Sequence, residues 1–118
     1  MDKRRQERLN SEIKKVISVA LREMRDPKIS SLTTLTDVSI TNDLSYCDLK
    51  FSVLGDEHEK NQIITTLQDA SGYFRSHIAK NIRIRQVPEI RVKLDESIEY
   101  SNRINEILKD LNLGNDDN

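Results

Sequence analysis

Two short amphipathic helical segments lie within residues 56–82, and the break between them limits the folds that the chain can adopt. Apolar residues recur at helical spacing on each side of the break: Ile63, Ile64, Leu67 and Ala70 before it, then Phe74, Ile78 and Ile82 after it. Asp56 and Glu59 have the spacing of a capping box at the start of the first segment. Gly72 interrupts the pattern, because glycine weakens a helix interior by about 1 kcal/mol relative to alanine. The sequence therefore predicts two helices joined by a kink at residues 70–72.

The longest helical pattern extends from about Lys3 to Met24. Seven apolar residues, spaced by threes and fours, line one face of this helix: Leu9, Ile13, Val16, Ile17, Ala20, Leu21 and Met24. Asp26 and Pro27 are predicted to end it, because a residue that precedes proline is pushed away from helical angles. A Ser/Thr-rich connection at residues 30–34 is expected to follow.

Three segments alternate apolar and polar residues, which is the pattern of a strand with one buried face. Their apolar positions are Thr36, Val38 and Ile40 in the first, Cys47, Leu49, Phe51 and Val53 in the second, and Ile90, Val92 and Leu94 in the third. Residues 42–44 favour a turn, so the first two strands are predicted to form an antiparallel hairpin. The third strand begins after Pro88. The predicted order of elements is αββααβ.

The length of 118 residues allows one domain with a single core. We assign residues 1–96 to this domain and residues 97–113 to a C-terminal helical extension. The apolar residues of the extension are Ile98, Ile104, Ile107, Leu108 and Leu111. Residues 114–118 are predicted to be a disordered acidic tail.

Positive charge is concentrated in two segments, although the formal net charge of the chain is only −1. Residues 1–25 carry a balance of +4 and residues 70–93 a balance of +5, whereas the segments 26–69 and 94–118 each carry −5. Any one of these cations could equally well serve only to keep the surface soluble. Their clustering in two segments, however, favours binding to phosphates. The candidate RNA-binding residues are Arg4, Arg8, Lys15, Arg22, Arg75, Lys80, Arg83, Arg85, Arg91 and Lys93.

Familiar catalytic and metal-binding motifs are absent from the sequence. His58 and His77 do not belong to a cluster with metal-ligand spacing, and there is no nucleophile elbow, phosphate-binding loop or dinucleotide fingerprint. Cys47 is the only cysteine and occupies an apolar strand position, which indicates a small core residue in a reducing compartment. We therefore predict neither an enzyme nor a bound cofactor or metal.

Hydropathy and aromatic content narrow the class of protein further. No run of about 18 apolar residues occurs, so the sequence predicts a soluble, cytoplasmic protein without a membrane partner. The three tyrosines are scattered, which argues against a base-stacking platform of the RRM type. The αββααβ order, with basic charge directly after the kink, is instead typical of the helix pair that grips nucleic acid in KH domains.

Five ordered stretches of the chain resemble the bacterial ribosome-binding factor A family. They are residues 23–27 (EMRDP), 38–46 (VSITNDLSY), 72–76 (GYFRS), 82–91 (IRIRQVPEIR) and 95–100 (DESIEY). The resemblance extends from the N-terminal helix to about Leu111, and the tail beyond Leu111 is shorter than in longer members. It implies an α+β, type II KH-like fold with a three-stranded sheet packed against helices. In this fold an Ala-x-Gly kink, here Ala70-Ser71-Gly72, replaces the usual glycine loop.

The same resemblance implies a non-enzymatic assembly factor, monomeric off the ribosome and without a DNA partner. It would bind the immature 30S small subunit and 16S rRNA, support late maturation including processing of the 16S rRNA 5′ end, aid growth in the cold and leave before translation. Two alternatives stay open. A general KH-like RNA-binding module would bind many RNAs with similar affinity. A protein–protein adaptor would use the apolar residues of the predicted C-terminal helix.

Overall fold

The computed structural model describes residues 2–96, which form four helices and three strands. In chain order these are α1 Lys3–Glu23, α2 Pro27–Leu32, β1 Thr33–Ile40, β2 Tyr46–Val53, α3 Glu57–Asp69, α4 Ser71–Asn81 and β3 Glu89–Leu94. The predicted extension at 97–113 and the predicted acidic tail at 114–118 lie outside the described residues.

The three strands form one mixed sheet in the order β1-β2-β3. Strands β1 and β2 pair antiparallel, with Ile40 opposite Cys47, so the predicted hairpin is confirmed. Strand β3 runs parallel to β2, with Cys47 beside Ile90. A parallel neighbour requires a crossover connection, and α3 and α4 supply it. The architecture is α+β and KH-like, as the sequence predicted, with one additional short helix.

The helices cover one face of the sheet and enclose the core. Along β2, Cys47, Leu49, Phe51 and Val53 are buried, while the alternate residues are exposed or half-buried. The Phe51 and Phe74 rings meet with centroids 5.8 Å apart and thus join the sheet to α4. Cys47 is fully buried, and burial raises the pKa of its thiol to about 12. The prediction that Cys47 is a core residue is confirmed.

Two polar side chains fix α1 against the end of β1. The Gln6 Nε2 donates to the backbone oxygen of Ile40 at 2.6 Å, and the Ile40 backbone nitrogen donates to Asn10 Oδ1 at 2.9 Å. Both backbone groups of Ile40 are therefore satisfied by α1. Farther along the helix, Ile13, Ile17, Ala20 and Leu21 are buried, which confirms the predicted apolar face.

The predicted connection at residues 30–34 was wrong, because Pro27–Leu32 forms the short helix α2 and β1 starts at Thr33. Asp26 Oδ1 accepts from the Lys28 backbone nitrogen at 3.0 Å, and Pro27 occupies the first helical position. Proline is favoured there because the first backbone N–H groups of a helix have no partner inside it. Helix α1 thus ends at Glu23, and the Asp-Pro pair starts α2.

The predicted burial of Thr36 was also wrong, because β1 contains a bulge between Leu35 and Asp37. A bulge inserts one extra residue and changes which side chains face the core. Leu35 is buried in consequence, while the half-buried Thr36 hydroxyl donates to the Asp95 carboxylate at 2.6 Å.

Candidate nucleic-acid interface

The break between α3 and α4 consists of one residue, Ala70, which ends one helix and starts the next. Its backbone angles are φ −89° and ψ 10°. The Ala70 backbone nitrogen donates to the oxygens of Thr66 and Leu67 at 3.0 and 3.1 Å, and its oxygen accepts from Phe74 at 3.1 Å. The backbone hydrogen bonds therefore continue through the kink, which has a fixed geometry. The predicted break between the two helices is confirmed at Ala70, whereas Ser71 and Gly72 belong to α4.

Gly72 lies in the first turn of α4 and is exposed. Apart from its chain neighbours and the backbone of its own helix, a Cβ atom added at this position would meet no atom of the described chain within 4 Å. The fold therefore does not require glycine for internal packing. The same open space allows the backbone of another molecule to approach α4 closely.

A depression of about 300 Å³ lies next to Gly72, and we call it the kink groove. It is lined by Gly72, Arg75, Ser76, Ala79 and Val87. The Arg75 Nη2 donates to the Val87 backbone oxygen at 3.2 Å, which ties α4 to the segment before β3. The groove thus combines an accessible backbone with a positioned guanidinium group, and guanidinium groups bind phosphate well.

A second depression of about 480 Å³ lies between α1 and α4, and we call it the α1/α4 groove. Lys15 of α1 and Lys80 of α4 both line it. A shallower depression beside it on α1 is lined by Lys15, Val19 and Arg22 among others. The structure therefore brings Lys15, Arg22 and Lys80 together on the helical face of the domain.

A hydrogen bond joins the two helices of this groove. The Tyr73 hydroxyl donates to the backbone oxygen of Ala20 at 2.7 Å. Ala20 belongs to the last turn of α1, whose carbonyl groups lack partners within the helix. Desolvation, together with the negative charge of Glu23, raises the pKa of Tyr73 above its ordinary value, so the hydroxyl keeps its proton near neutral pH.

Four other predicted residues are exposed but do not line either groove. Arg4 and Arg8 lie on the N-terminal half of α1, and Arg83 and Arg85 lie between α4 and β3. Among residues 2–96, none of these four side chains pairs with a carboxylate. Their positive charge is therefore not neutralised by an acidic side chain of the described part.

Arg91 and Lys93 lie apart from the other candidates, on the face of the sheet that the helices leave uncovered. Arg91 Nε is 2.6 Å from Asp48 Oδ1, and Lys93 Nζ is 3.3 Å from Asp48 Oδ2. The Arg91 guanidinium also lies 4.4 Å from the centre of the Tyr46 ring. Burial alone would raise the pKa of Asp48, but hydrogen bonds from the two cations outweigh it and lower that pKa. Both cations are thus partly neutralised within the sheet.

Sequence reasoning missed the non-cationic residues of the α1/α4 groove. Val16, Val19, Glu23, His77 and Asn81 line it together with the two lysines. Val19 offers the clearest signal, because it is an apolar residue beside the predicted RNA-binding residues Lys15 and Arg22 of α1. Its exposed fraction is 43%.

Residues 2–96 contain neither a metal-binding cluster nor a membrane-spanning helix. No group of three or more His, Cys, Asp or Glu side chains is placed to hold a metal ion there. None of the helices in that part is both long and apolar enough to span a membrane.

Comparisons with known proteins identify the family. A family model described as ribosome-binding factor A matches residues 5–108. The ribosome-binding factor A of Caldanaerobacter subterraneus subsp. tengcongensis is 44% identical over 109 residues, which cover 92% of this chain and 89% of that protein.

Two solved structures are also similar to the chain. The solution NMR structure of a candidate ribosome binding factor A from Thermotoga maritima has a TM-score of 0.72 at 37% identity, covering 84% of this chain and 94% of that one. The Thermus thermophilus ribosome binding factor A, as a homology model fitted into the cryo-EM map of a 30S complex, has a TM-score of 0.61. It covers 75% of this chain and 93% of that one, but at 18% identity the likeness concerns the fold alone. The family model and the Caldanaerobacter relative carry the assignment: the chain belongs to the ribosome-binding factor A family.

Proposed function

We propose that this protein is a non-enzymatic assembly factor that binds the immature 30S subunit through 16S rRNA. The observation that carries the proposal is the group of exposed cations on the helices. They lie near the break between α3 and α4, where Gly72 leaves the backbone accessible to another molecule. Family membership supports the ribosome as the partner, and the Thermus relative is described in a complex with the 30S subunit.

The proposed mechanism is electrostatic. The α1 cations and the cations of residues 75–85 bind rRNA phosphates, while Gly72 lets the RNA backbone approach α4. Binding of this kind releases counterions and therefore weakens as salt rises. Arg91 and Lys93 contribute less in this proposal, because Asp48 already pairs with both.

We extend the proposal to the late steps of maturation that the family resemblance implies. By holding one local conformation of 16S rRNA, the protein would present the 5′ end to separate processing nucleases. It would support growth in the cold and leave the subunit before translation. The protein itself supplies binding and positioning, without a catalytic step.

The test is co-sedimentation of the purified protein with immature and mature small subunits, large subunits and whole ribosomes across a salt series. We expect selective, salt-sensitive association with small subunits, above all immature ones. Equal binding to every RNA-containing particle would favour the general RNA-binding module. No binding to any particle would contradict the proposal and favour the adaptor, whose predicted helix lies outside the described residues.

Charge reversal tests which face of the domain binds. The double variant Lys80→Glu with Arg83→Glu removes two exposed cations of the helical side, so we expect weaker binding. The slope of the logarithm of the binding constant against the logarithm of the salt concentration should fall by about one for each phosphate that the protein no longer neutralises. Lys50→Glu is the control, because Lys50 is exposed on the uncovered sheet face. Unchanged co-sedimentation of the double variant, with its fold intact by circular dichroism, would refute the proposed interface.

A further inference from the structure

The segment that joins α4 to β3, residues 82–88, carries two of the exposed cations, Arg83 and Arg85. Both of its ends are fixed. The Ile82 backbone nitrogen donates to a backbone oxygen of α4 at 3.0 Å, and the Ile82 side chain is buried. At the other end Pro88 is fully buried, and its ring fixes its own backbone angle φ. The freedom of the two arginines therefore depends on what holds the chain between these ends.

Side chains alternate between core and solvent along the first part of this segment. Ile82 is buried and Ile84 is half-buried, whereas Arg83 and Arg85 are exposed. The backbone angles of Ile82, φ −128° and ψ 130°, are those of an extended residue. In an extended chain, residues two apart point to the same side, and their Cα atoms lie about 6 to 7 Å apart. Two arginines arranged in this way suit a nucleic-acid strand, which carries one phosphate per nucleotide.

A side chain of α4 provides the hydrogen bond that holds this segment between its ends. Arg75 Nη2 donates to the Val87 backbone oxygen at 3.2 Å. Among residues 2–96, no other hydrogen bond joins residues 83–87 to the rest of the domain. Arg75 also lines the depression at the start of β3, so it lies between that strand and α4. Arg75 is thus placed to hold the connecting segment.

A hydrogen bond at this point affects binding because order that exists before binding lowers the entropy lost on binding. A segment that moves in the free protein must be fixed when its side chains contact a partner, and fixing each backbone residue costs conformational entropy. The bond from Arg75 removes part of this cost beforehand. It does so for two cations at once.

We infer that Arg75 is a positioning residue, which holds residues 83–87 so that Arg83 and Arg85 bind successive phosphates of the RNA together. This inference rests on the proposed function and changes the part of Arg75 in it, because Arg75 acts through the other two arginines. The effect of Arg75 on binding should therefore depend on their presence.

A double-mutant cycle tests this dependence, measured by co-sedimentation of the protein with small subunits at one salt concentration. In the native background, Arg75→Gln should weaken binding about two- to tenfold, as the loss of one hydrogen bond implies. In a background that carries Arg83→Gln and Arg85→Gln, the same change should weaken binding by less than about twofold. Equal weakening in both backgrounds would show that Arg75 binds a phosphate of its own and would overturn the inference.

Arg22→Gln is the matched control, because Arg22 is an exposed arginine of α1 whose side chain makes no hydrogen bond with residues 83–87. Any weakening that it causes should be the same in both backgrounds. The salt dependence gives a second readout. In Arg75→Gln the slope of the logarithm of the binding constant against the logarithm of the salt concentration should stay unchanged, because the same phosphates are neutralised. A slope lowered by about one would instead indicate the loss of a direct phosphate contact and would contradict the positioning role.

Nitrogen-15 relaxation of the free protein separates the failure of this inference from the failure of the proposed function. Backbone order parameters of residues 83–86 should be about 0.85 in the native protein and fall toward about 0.6 in Arg75→Gln, while those of β2 stay constant. If the protein binds small subunits but these order parameters do not fall, the positioning role is wrong and the proposed function stands. If the native protein does not bind small subunits, the proposed function fails, and a loosened segment would show only a structural role for Arg75.

Discussion

Replacing Tyr73 by phenylalanine tests the contact that fixes α4 against α1. The substitution removes only the hydroxyl that donates to the Ala20 oxygen at 2.7 Å. That oxygen is one of the carbonyls that α1 cannot satisfy within itself, and the hydrogen bond is partly buried. We therefore expect the free energy of unfolding to fall by about 0.5 to 1.5 kcal/mol. For a domain of this size, 1 kcal/mol corresponds to a Tm lower by about 4 to 8 °C.

Urea and thermal denaturation, followed by circular dichroism, measure this loss. Tyr46→Phe is the matched control, because it deletes the same atom from a 39% exposed ring whose hydroxyl bonds to no described residue. The control should change the free energy of unfolding by less than about 0.5 kcal/mol, as is usual for surface substitutions. If Tyr73→Phe behaves like Tyr46→Phe, the hydroxyl does not stabilise the end of α1 and the argument is wrong.

The dependence on pH gives an independent check of the surroundings of this hydroxyl, which desolvation and the charge of Glu23 determine. The pKa of Tyr73 is raised in the folded state, so its stabilising contribution is complete below the ordinary tyrosine pKa and is lost as pH rises through the folded value. The stability difference between the native protein and Tyr73→Phe should thus stay constant from pH 7 to about 9 and shrink at higher pH. A difference that grows with pH would contradict the desolvation of this hydroxyl beside Glu23.

Two further substitutions test other parts of the structure. Gly72→Ala should raise Tm, because alanine favours the helix by up to about 1 kcal/mol and the added methyl group meets no atom outside the neighbouring part of its own helix. The same variant should weaken co-sedimentation with small subunits, and unchanged binding would exclude close approach of RNA at this position. Asp48→Asn should lower the free energy of unfolding by up to about 1 kcal/mol at pH 7, because the variant cannot form the ion pairs with Arg91 and Lys93. The pKa of Asp48 in the folded protein lies below its ordinary value, so this loss of stability should disappear as pH falls below about 4. A loss that persists at pH 2 would show that packing, not charge, is responsible.

Local patterns predicted most of the fold because each is set by a few neighbouring residues. The helical spacing from Leu9 to Met24 needs only the geometry of a single helix, and the same holds for the strand alternation from Cys47 to Val53. The kink at Ala70 was predictable because Gly72 interrupts an otherwise regular pattern. In each case, the signal lies within one element and does not depend on its neighbours in space.

The features that sequence reasoning missed depend on two signals at once or on distant contacts. A proline can follow the end of one helix or begin another, and only the Asp26 cap in the structure shows that Pro27 begins α2. The β1 bulge was hidden because Thr36, Val38 and Ile40 alternate as regularly as a plain strand. Arg91 pairs with Asp48 across 43 residues, so no local charge balance could reveal that it lies on the opposite face from Lys80.

The parallel pairing of β3 has a consequence for how the protein folds during synthesis. Strand β2 is central in the sheet, yet its second neighbour is made only after α3 and α4 have been translated. The β1–β2 hairpin can form early because its contacts are local, whereas β2–β3 pairing must wait for residues 89–94. Until then, the unpaired edge of β2 and the apolar side chain of Phe51 are open to other nascent chains. The helix pair proposed to bind RNA is therefore also the segment whose folding brings β3 to its place and closes the sheet.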